Sequence, residues 1–288
     1  MNRLILAGLL IVVLATGAAA GQWSLRPQVI DNGGAALLVW EGPQPVSGVA
    51  HFAEQVFPLA PRSFGAVALL AADLDLPAGT YPVDLSLKMP DGKIRTHLLH
   101  LEVRHLDRAV QRLTLPPSQV TPHEPEVLER IERERQRFNQ VFAHTSLPVL
   151  WQEFVRPVDD PTGSPFGVRR ILNDQPRAPH SGVDFRSPRG TSVRAAARGR
   201  VVMADDFFFT GKTVVLDHGG GLYSLYAHLE QISCAEGDLL EAGSLLGRVG
   251  STGRSTGPHL HWGVRLQNQR IDPLVLLELL PGRQSDYP

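Results

Sequence analysis

Residues 250–264 read GSTGRSTGPHLHWGV. Glycine and proline punctuate the first half, and a short apolar run follows from Leu260 to Val264. Side chains alternate faces along a strand, so His259 and His261 would point the same way into one site. Two neighbouring imidazoles suit one metal ligand beside one acid/base group. A lone His-x-His is most often an ordinary pair of histidines, so the rest of the chain must decide.

Two other segments supply candidate partners. His180-Ser181-Gly182-Val183-Asp184 sets a histidine and an aspartate four residues apart, with Ser-Gly permitting a tight turn before a strand at Val183-Asp184-Phe185. Tyr226-Ala227-His228-Leu229 carries a further histidine at the end of an apolar run. One His, one Asp and one further His make a nitrogen and carboxylate set. Three protein ligands with an open fourth position is how catalytic zinc is held. Zinc lowers the pKa of a bound water and polarises a carbonyl oxygen. Around these segments, residues 201–204, 213–217 and 222–228 read as strands between turns. Seventeen of the 27 glycines follow position 150, which points to an all-β block.

The whole chain has 288 residues, enough for about two domains. Its 43% hydrophobic and 20% charged composition supports real cores. A net charge of −1 gives no electrostatic basis for binding nucleic acid. The single cysteine, Cys234, excludes an internal disulfide framework and a Cys-rich zinc finger, and reads as a small packed side chain. Any metal must therefore be sought among His and Asp ligands.

Residues 1–20 (MNRLILAGLLIVVLATGAAA) have a positive start, an apolar run and a small-x-small end, the pattern of an export signal. The apolar run is short for a membrane span, so a membrane is expected to matter only if this segment stays uncleaved. Residues 21–106 read as a β-sandwich. Val83, Leu85, Leu87 and Met89 alternate up to Asp91-Gly92, a hairpin turn signal. The stretch LPAGTYPVDLSL at 76–87 resembles the late strands of bacterial immunoglobulin-like domains. Residues 107–146 read as a helical linker, with opposite charges three and four apart and only a partial apolar stripe. A solvated connecting helix is expected. Residues 147–276 form the second folded block, and 277–288 a tail. The fold class is mainly β: a β-sandwich, a connecting helix and an antiparallel β-sheet domain.

The second block resembles the LytM/lysostaphin-type zinc peptidases of bacterial cell walls. The resemblance rests on FGVRR at 166–170, HSGVDF at 180–185, AAARGRVV at 195–202, GKTVVLDHGGGLYSLYAHL at 211–229 and GSTGRSTGPHLHWGV at 250–264. It implies one zinc ion per chain, held by His180, Asp184 and His261. It implies that His228 and His259 are the catalytic histidines, which position a water, take its proton and stabilise the tetrahedral intermediate. The sequence has no H-E-x-x-H, in keeping with a family that does without a glutamate base. The implied substrate is the peptide part of peptidoglycan, in an exported, periplasmic or cell-envelope protein.

Other residues have weaker claims. Arg169 is a candidate for gripping a substrate carboxylate or bracing its loop. His218, before three glycines, suggests a turn or a supporting role beside the site. Phe207-Phe208-Phe209 reads as a groove wall or as core. Asn173 and the region 123–144 are candidates for covering the metal's open position. The rival functions are a non-catalytic regulator of a cell-wall amidase and a wall-binding scaffold. The front domain offers a surface for a cell-wall protein partner. The intact ligand and histidine set favours the enzyme.

Overall fold

The computed structural model describes residues 21–114 and 122–282. The expected export signal at 1–20 lies outside the described residues. Ten strands come first: β1 (Gln22–Arg26), β2 (Val29–Asp31), β3 (Ala35–Glu41), β4 (Ser47–Phe52), β5 (Gln55–Pro58), β6 (Ala60–Arg62), β7 (Gly65–Ala71), β8 (Gly79–Lys88), β9 (Ile94–Arg104) and β10 (Val110–Leu113). One sheet has the order β1-β3-β7-β6 and a second the order β2-β9-β8-β4-β5. Every residue of β7 is buried, which suits its small and apolar sequence GAVALLA. In β8, Val83, Leu85 and Leu87 are buried while Asp84 is exposed, as the alternation predicts. The Asp91-Gly92 turn joins β8 to β9; Gly92 takes a φ of 80°, and the Lys93 N–H donates to Asp91 Oδ1 at 3.0 Å.

Helix α1 (Pro125–Phe142) follows, with proline in its first turn. The remaining strands are β11 (Arg169–Leu172), β12 (Gln175–Arg177), β13 (Gly182–Phe185), β14 (Ser192–Arg194), β15 (Gly199–Phe207), β16 (Gly211–Asp217), β17 (Leu222–Ile232), β18 (Leu239–Leu240), β19 (Leu245–Val249), β20 (Leu260–Leu266) and β21 (Gln269–Ile271). A short helix α2 (Pro273–Leu279) closes the described chain, capped by Asp272, whose side chain accepts from Leu274 N–H. Strands β13-β20-β17-β16-β15-β18 make the spine of a large sheet, with β14, β19 and β21 paired at its margins. Its pairings are antiparallel. Trp262, Tyr226, Phe185 and Val183 are fully buried beneath it.

Two expectations for residues 107–146 need correction. The segment is not wholly helical: β10 pairs in parallel with β11, setting Gln111 opposite Arg170, and β12 completes a three-stranded sheet. Nor is α1 merely solvated. Its sparse apolar stripe docks on the large sheet, with Phe138 against Phe207 (ring centroids 4.8 Å apart) and Phe142 against Tyr223 (5.5 Å). Its charges continue the contact. Glu134 accepts from the Phe208 N–H at 2.8 Å, and Arg137 donates to Asp205 at 2.7 Å and to Glu236. A narrow apolar face suffices because its partner surface is aromatic and the flanking charges find partners.

The two folded blocks also pack on one another through a shared apolar cluster. Arg270, on β21, donates from Nη2 to Asp73 Oδ1 at 2.6 Å, and its backbone N–H reaches Asp73 Oδ2 at 2.8 Å. Arg108 donates to Asn32 Oδ1 at 2.8 Å and lies over the Phe166 ring.

Candidate metal centre and active site

Strand β20 lies between β13 and β17, and this order assembles the site. In the β13–β20 register Asp184 is directly opposite His261; in the β20–β17 register His261 is opposite Ala227, the residue before His228. His259 and His261 share a face of the chain, while Leu260 and Trp262 point into the core. Gly182 permits the close approach of β13. A Cβ there would fall 2.4 Å from the Trp262 carbonyl oxygen and 2.8 Å from His261 Cε1.

His228 reaches the site through a distortion. Between the pairs Lys212↔Leu229 and Val214↔Tyr226, two β17 residues, Ala227 and His228, oppose Thr213 alone. His228 takes a φ of 61°, the left-handed region that a histidine adopts at a cost. Such a bulge re-aims a side chain. Here it turns the imidazole toward His259, with ring centroids 4.7 Å apart, and toward His261 at 6.1 Å.

Three atoms converge most closely. His180 Nε2, Asp184 Oδ1 and His261 Nδ1 are each 2.9 Å from the other two. The Nδ1–H of His180 donates to the Pro165 carbonyl at 2.8 Å, which turns Nε2 inward as the ligand atom. The three donors are two imidazole nitrogens and one carboxylate oxygen, a set that fits zinc or a related divalent ion. Their spacing is slightly tighter than the ~3.3 Å between ligands implied by tetrahedral zinc with bonds of 2.0–2.1 Å.

The electrostatics agree with a cation site. Burial raises the Asp184 pKa, but the adjoining His180 and His261 rings outweigh it and hold the carboxyl far below the usual range. Burial lowers the pKa of His261, against the pull of Asp184. Arg170 Nη2 donates to Asp184 Oδ2 at 3.3 Å, leaving Oδ1 for the converging group.

The other two histidines present acceptors to the same cleft. His228 Nδ1–H donates to the Thr252 carbonyl at 2.8 Å, and His259 Nδ1–H to the Gly257 carbonyl at 2.8 Å. With Nδ1 so engaged, each ring turns its Nε2 to the cleft, and that of His259 is 3.9 Å from Asp184 Oδ1. Burial, with His259 and His261 adding to it, lowers His228 to about 3, so its ring stays neutral.

The structure thus brings His180, Asp184, His228, His259 and His261 together. Two other candidates lie elsewhere. Arg169 is exposed on β11, and strand alternation turns its neighbour Arg170 toward Asp184 in its place. His218 is fully buried away from the five. Its Nδ1–H donates to the Arg198 carbonyl at 2.8 Å, Ser224 Oγ lies 2.7 Å from its Nε2, and Phe154 packs on its ring. Asn173 sits with Asp174 in the β11–β12 turn, both at positive φ. Phe207 is buried and, with Phe209, lines a cavity of about 350 Å³ between α1 and the sheet that reaches His261. Cys234 is half-buried, and burial pushes its thiol up to about 11, which keeps it unreactive.

Sequence reading missed Arg254 and Gln111, which line the cleft with Arg170 and His259. Arg254 stands within the quoted 250–264 stretch; Gln111 carries no local signal.

Comparison with known proteins matches residues 178–273 to the model of peptidase family M23. The DD-carboxypeptidase/endopeptidase Mpg of Neisseria meningitidis serogroup B is 42% identical over 111 residues, 38% of this chain and 26% of that protein. The peptidoglycan DD-endopeptidase ShyA of Vibrio cholerae is 36% identical over 121 residues, 41% of this chain and 28% of that protein. The chain thus matches only about a quarter of the length of these curated relatives. The crystal structure of a peptidase M23 from Pseudomonas aeruginosa is similar across far more of the chain. It is 30% identical, covers 86% of this chain and 95% of that one, and superposes with a TM-score of 0.65.

Proposed function

Because the chain belongs to peptidase family M23, we propose that it is a zinc endopeptidase of the cell envelope that hydrolyses peptide cross-links of peptidoglycan. The observation that carries this reading is the convergence of His180 Nε2, Asp184 Oδ1 and His261 Nδ1, with the Nε2 atoms of His228 and His259 facing the same cleft. His180, Asp184 and His261 would hold one zinc ion. When bound, zinc supplies a Lewis acid that acidifies a water and polarises the scissile carbonyl.

The remaining chemistry belongs to the protein. Hydrogen bonds to Thr252 and Gly257 fix the tautomer of each catalytic histidine. One Nε2 lone pair orients the attacking water and takes its proton. The other ring faces the carbonyl oxygen as negative charge develops there. The proton taken from water then passes to the leaving amine as the C–N bond breaks, so the donor ring returns to neutral. Burial keeps the His228 ring out of bulk water, which strengthens its interactions. The DD-endopeptidase relatives support a diaminopimelate-type cross-link over a glycine bridge. Export to the envelope fits the signal pattern at residues 1–20.

Digestion of purified peptidoglycan by the zinc-loaded full chain tests the reading. Mass spectrometry should show cross-linked dimers converted to monomers, and His261→Ala should abolish both zinc retention and conversion. Intact dimers after prolonged digestion with the zinc-loaded wild type would refute it.

A further inference from the structure

The cleft beside the three converging ligands contains a group of residues that the bond-breaking chemistry does not use. Arg170 and Arg254 line it together with Gln111, Ser164 and His259. Arg177 is also near: burial first, then the charges of Arg170 and Arg177, lower the pKa of Arg254. Two guanidinium groups, those of Arg170 and Arg254, therefore line one cleft, and its carboxylate, Asp184, belongs to the metal-binding set.

The same wall carries buried polar atoms without a hydrogen-bond partner among the described residues: Gln111 Oε1, Ser164 Oγ and Arg170 Nε. Each such group costs about 1–3 kcal/mol. Two of them, Ser164 Oγ and Arg170 Nε, carry donors whose bonding a bound anion completes, while Gln111 Oε1 is an acceptor that calls for an N–H or O–H of the same ligand. Gln111 comes from β10, outside the region matched by the family model, and its place is set by pairing opposite Arg170.

We propose that Arg170 and Arg254, flanked by Ser164 and Gln111, form a carboxylate-binding subsite that selects substrates with a carboxylate within one residue of the scissile bond. The proposal rests on the peptidase reading and narrows it. Guanidinium forks bind carboxylates through paired N–H donors, and the Ser164 hydroxyl and the Gln111 amide add a donor each. Arg170 already touches Asp184, so the bound carboxylate lies next to the reacting bond rather than far along the groove. Peptidoglycan peptides offer such a group in two places: on the diamino acid whose amine forms the cross-link, and at the C-terminus of an uncross-linked D-alanyl-D-alanine stem. A glycine bridge has neither.

The experiment compares two substrate pairs with the zinc-loaded full chain: cross-linked dimers with the diamino-acid carboxylate free or amidated, and pentapeptide stems with the terminal carboxylate free or amidated. Amidation in the relevant pair should raise KM by about tenfold or more, the loss of one charge-assisted contact. The pair that responds identifies the carboxylate's source. Arg254→Gln should raise KM for the free acid by a similar factor, leave the amide within about twofold, and leave zinc content unchanged, with Arg254→Lys restoring part of the loss. Equal KM for acid and amide with the wild type would overturn the subsite while leaving the peptidase reading intact. Equal loss on both forms in Arg254→Gln would do the same. Failure of the wild type to cleave any of the four would overturn the peptidase reading and the subsite with it.

Discussion

Two histidines outside the metal-binding set show how much a single side chain depends on its surroundings. His228 accepts a left-handed φ of 61° at a β-bulge, a strain of about 1–2 kcal/mol. That strain aims its ring at the cleft, so stability is given up where the chemistry is placed. His218 has the opposite role. Burial lowers it to about 4, against the pull of the Arg198 carbonyl and the Asp217 charge, so the folded chain keeps it neutral. Its ordinary value is near 6.5, and the unfolded chain takes up a proton below that while the folded chain does not. Its stabilising contribution is therefore complete above pH 6.5 and falls away between about 6.5 and 4, by on the order of 3 kcal/mol. Urea unfolding of zinc-loaded wild type and His218→Gln across pH 4.5–8 should show that slope reduced in the variant. Parallel curves would assign the acid sensitivity to other groups.

At the scale of the element, α1 is the informative case. Its charged pairs, such as Arg130–Glu134 at 2.6 Å, lie along its surface and stabilise it weakly. Its position comes from Phe138 and Phe142, which close one side of the cavity that reaches His261. Phe142→Ala should cost roughly 3 kcal/mol or more, the value for deleting a buried phenyl ring. Hydrogen exchange of residues 125–142 should accelerate more than that of β16 and β17. Uniform acceleration across the sheet would show that the helix and sheet open as one unit. The i,i+4 charge pattern made the helix legible in the sequence, but not its partner, because Phe207 and Tyr223 lie 69 and 81 residues beyond Phe138 and Phe142.

For the whole molecule, the question is whether the sandwich and the peptidase block fold independently. Arg270 is joined to Asp73 through three donors, its backbone N–H, Nε and Nη2, with side chains only 20% and 18% exposed. Burial between the blocks continues through the shared apolar cluster. Removing Arg270 leaves the part-buried Asp73 without its counter-charge, whereas removing Asp73 leaves Arg270 with Asp75. A double-mutant cycle with Asp73→Ala and Arg270→Ala should give a coupling of about 1–3 kcal/mol. Denaturant unfolding of the wild type should show a single transition. A coupling near zero, or two separate transitions in the wild type, would mean that the contact does not bind the blocks together.

The sequence by itself determined the candidate site residues and the local periods. His259 and His261 were legible as a same-face pair from strand alternation, and His180, Asp184 and His228 joined them through the motifs of the family that the second block resembles. The β8–β9 hairpin was likewise legible from alternation. Only the tertiary structure decided which arginine faces the cleft, where His218 lies, what α1 packs on, and that β10 brings Gln111 to the site. In β11, four residues long, alternation allows either Arg169 or Arg170 to face inward, and the pairing with β10 and β12 chooses Arg170. His218 precedes the Gly-rich turn that returns the chain into β17, and its burial follows from the sheet packed around it. Each of these outcomes depends on contacts between residues far apart in the chain, which composition and spacing do not encode one segment at a time.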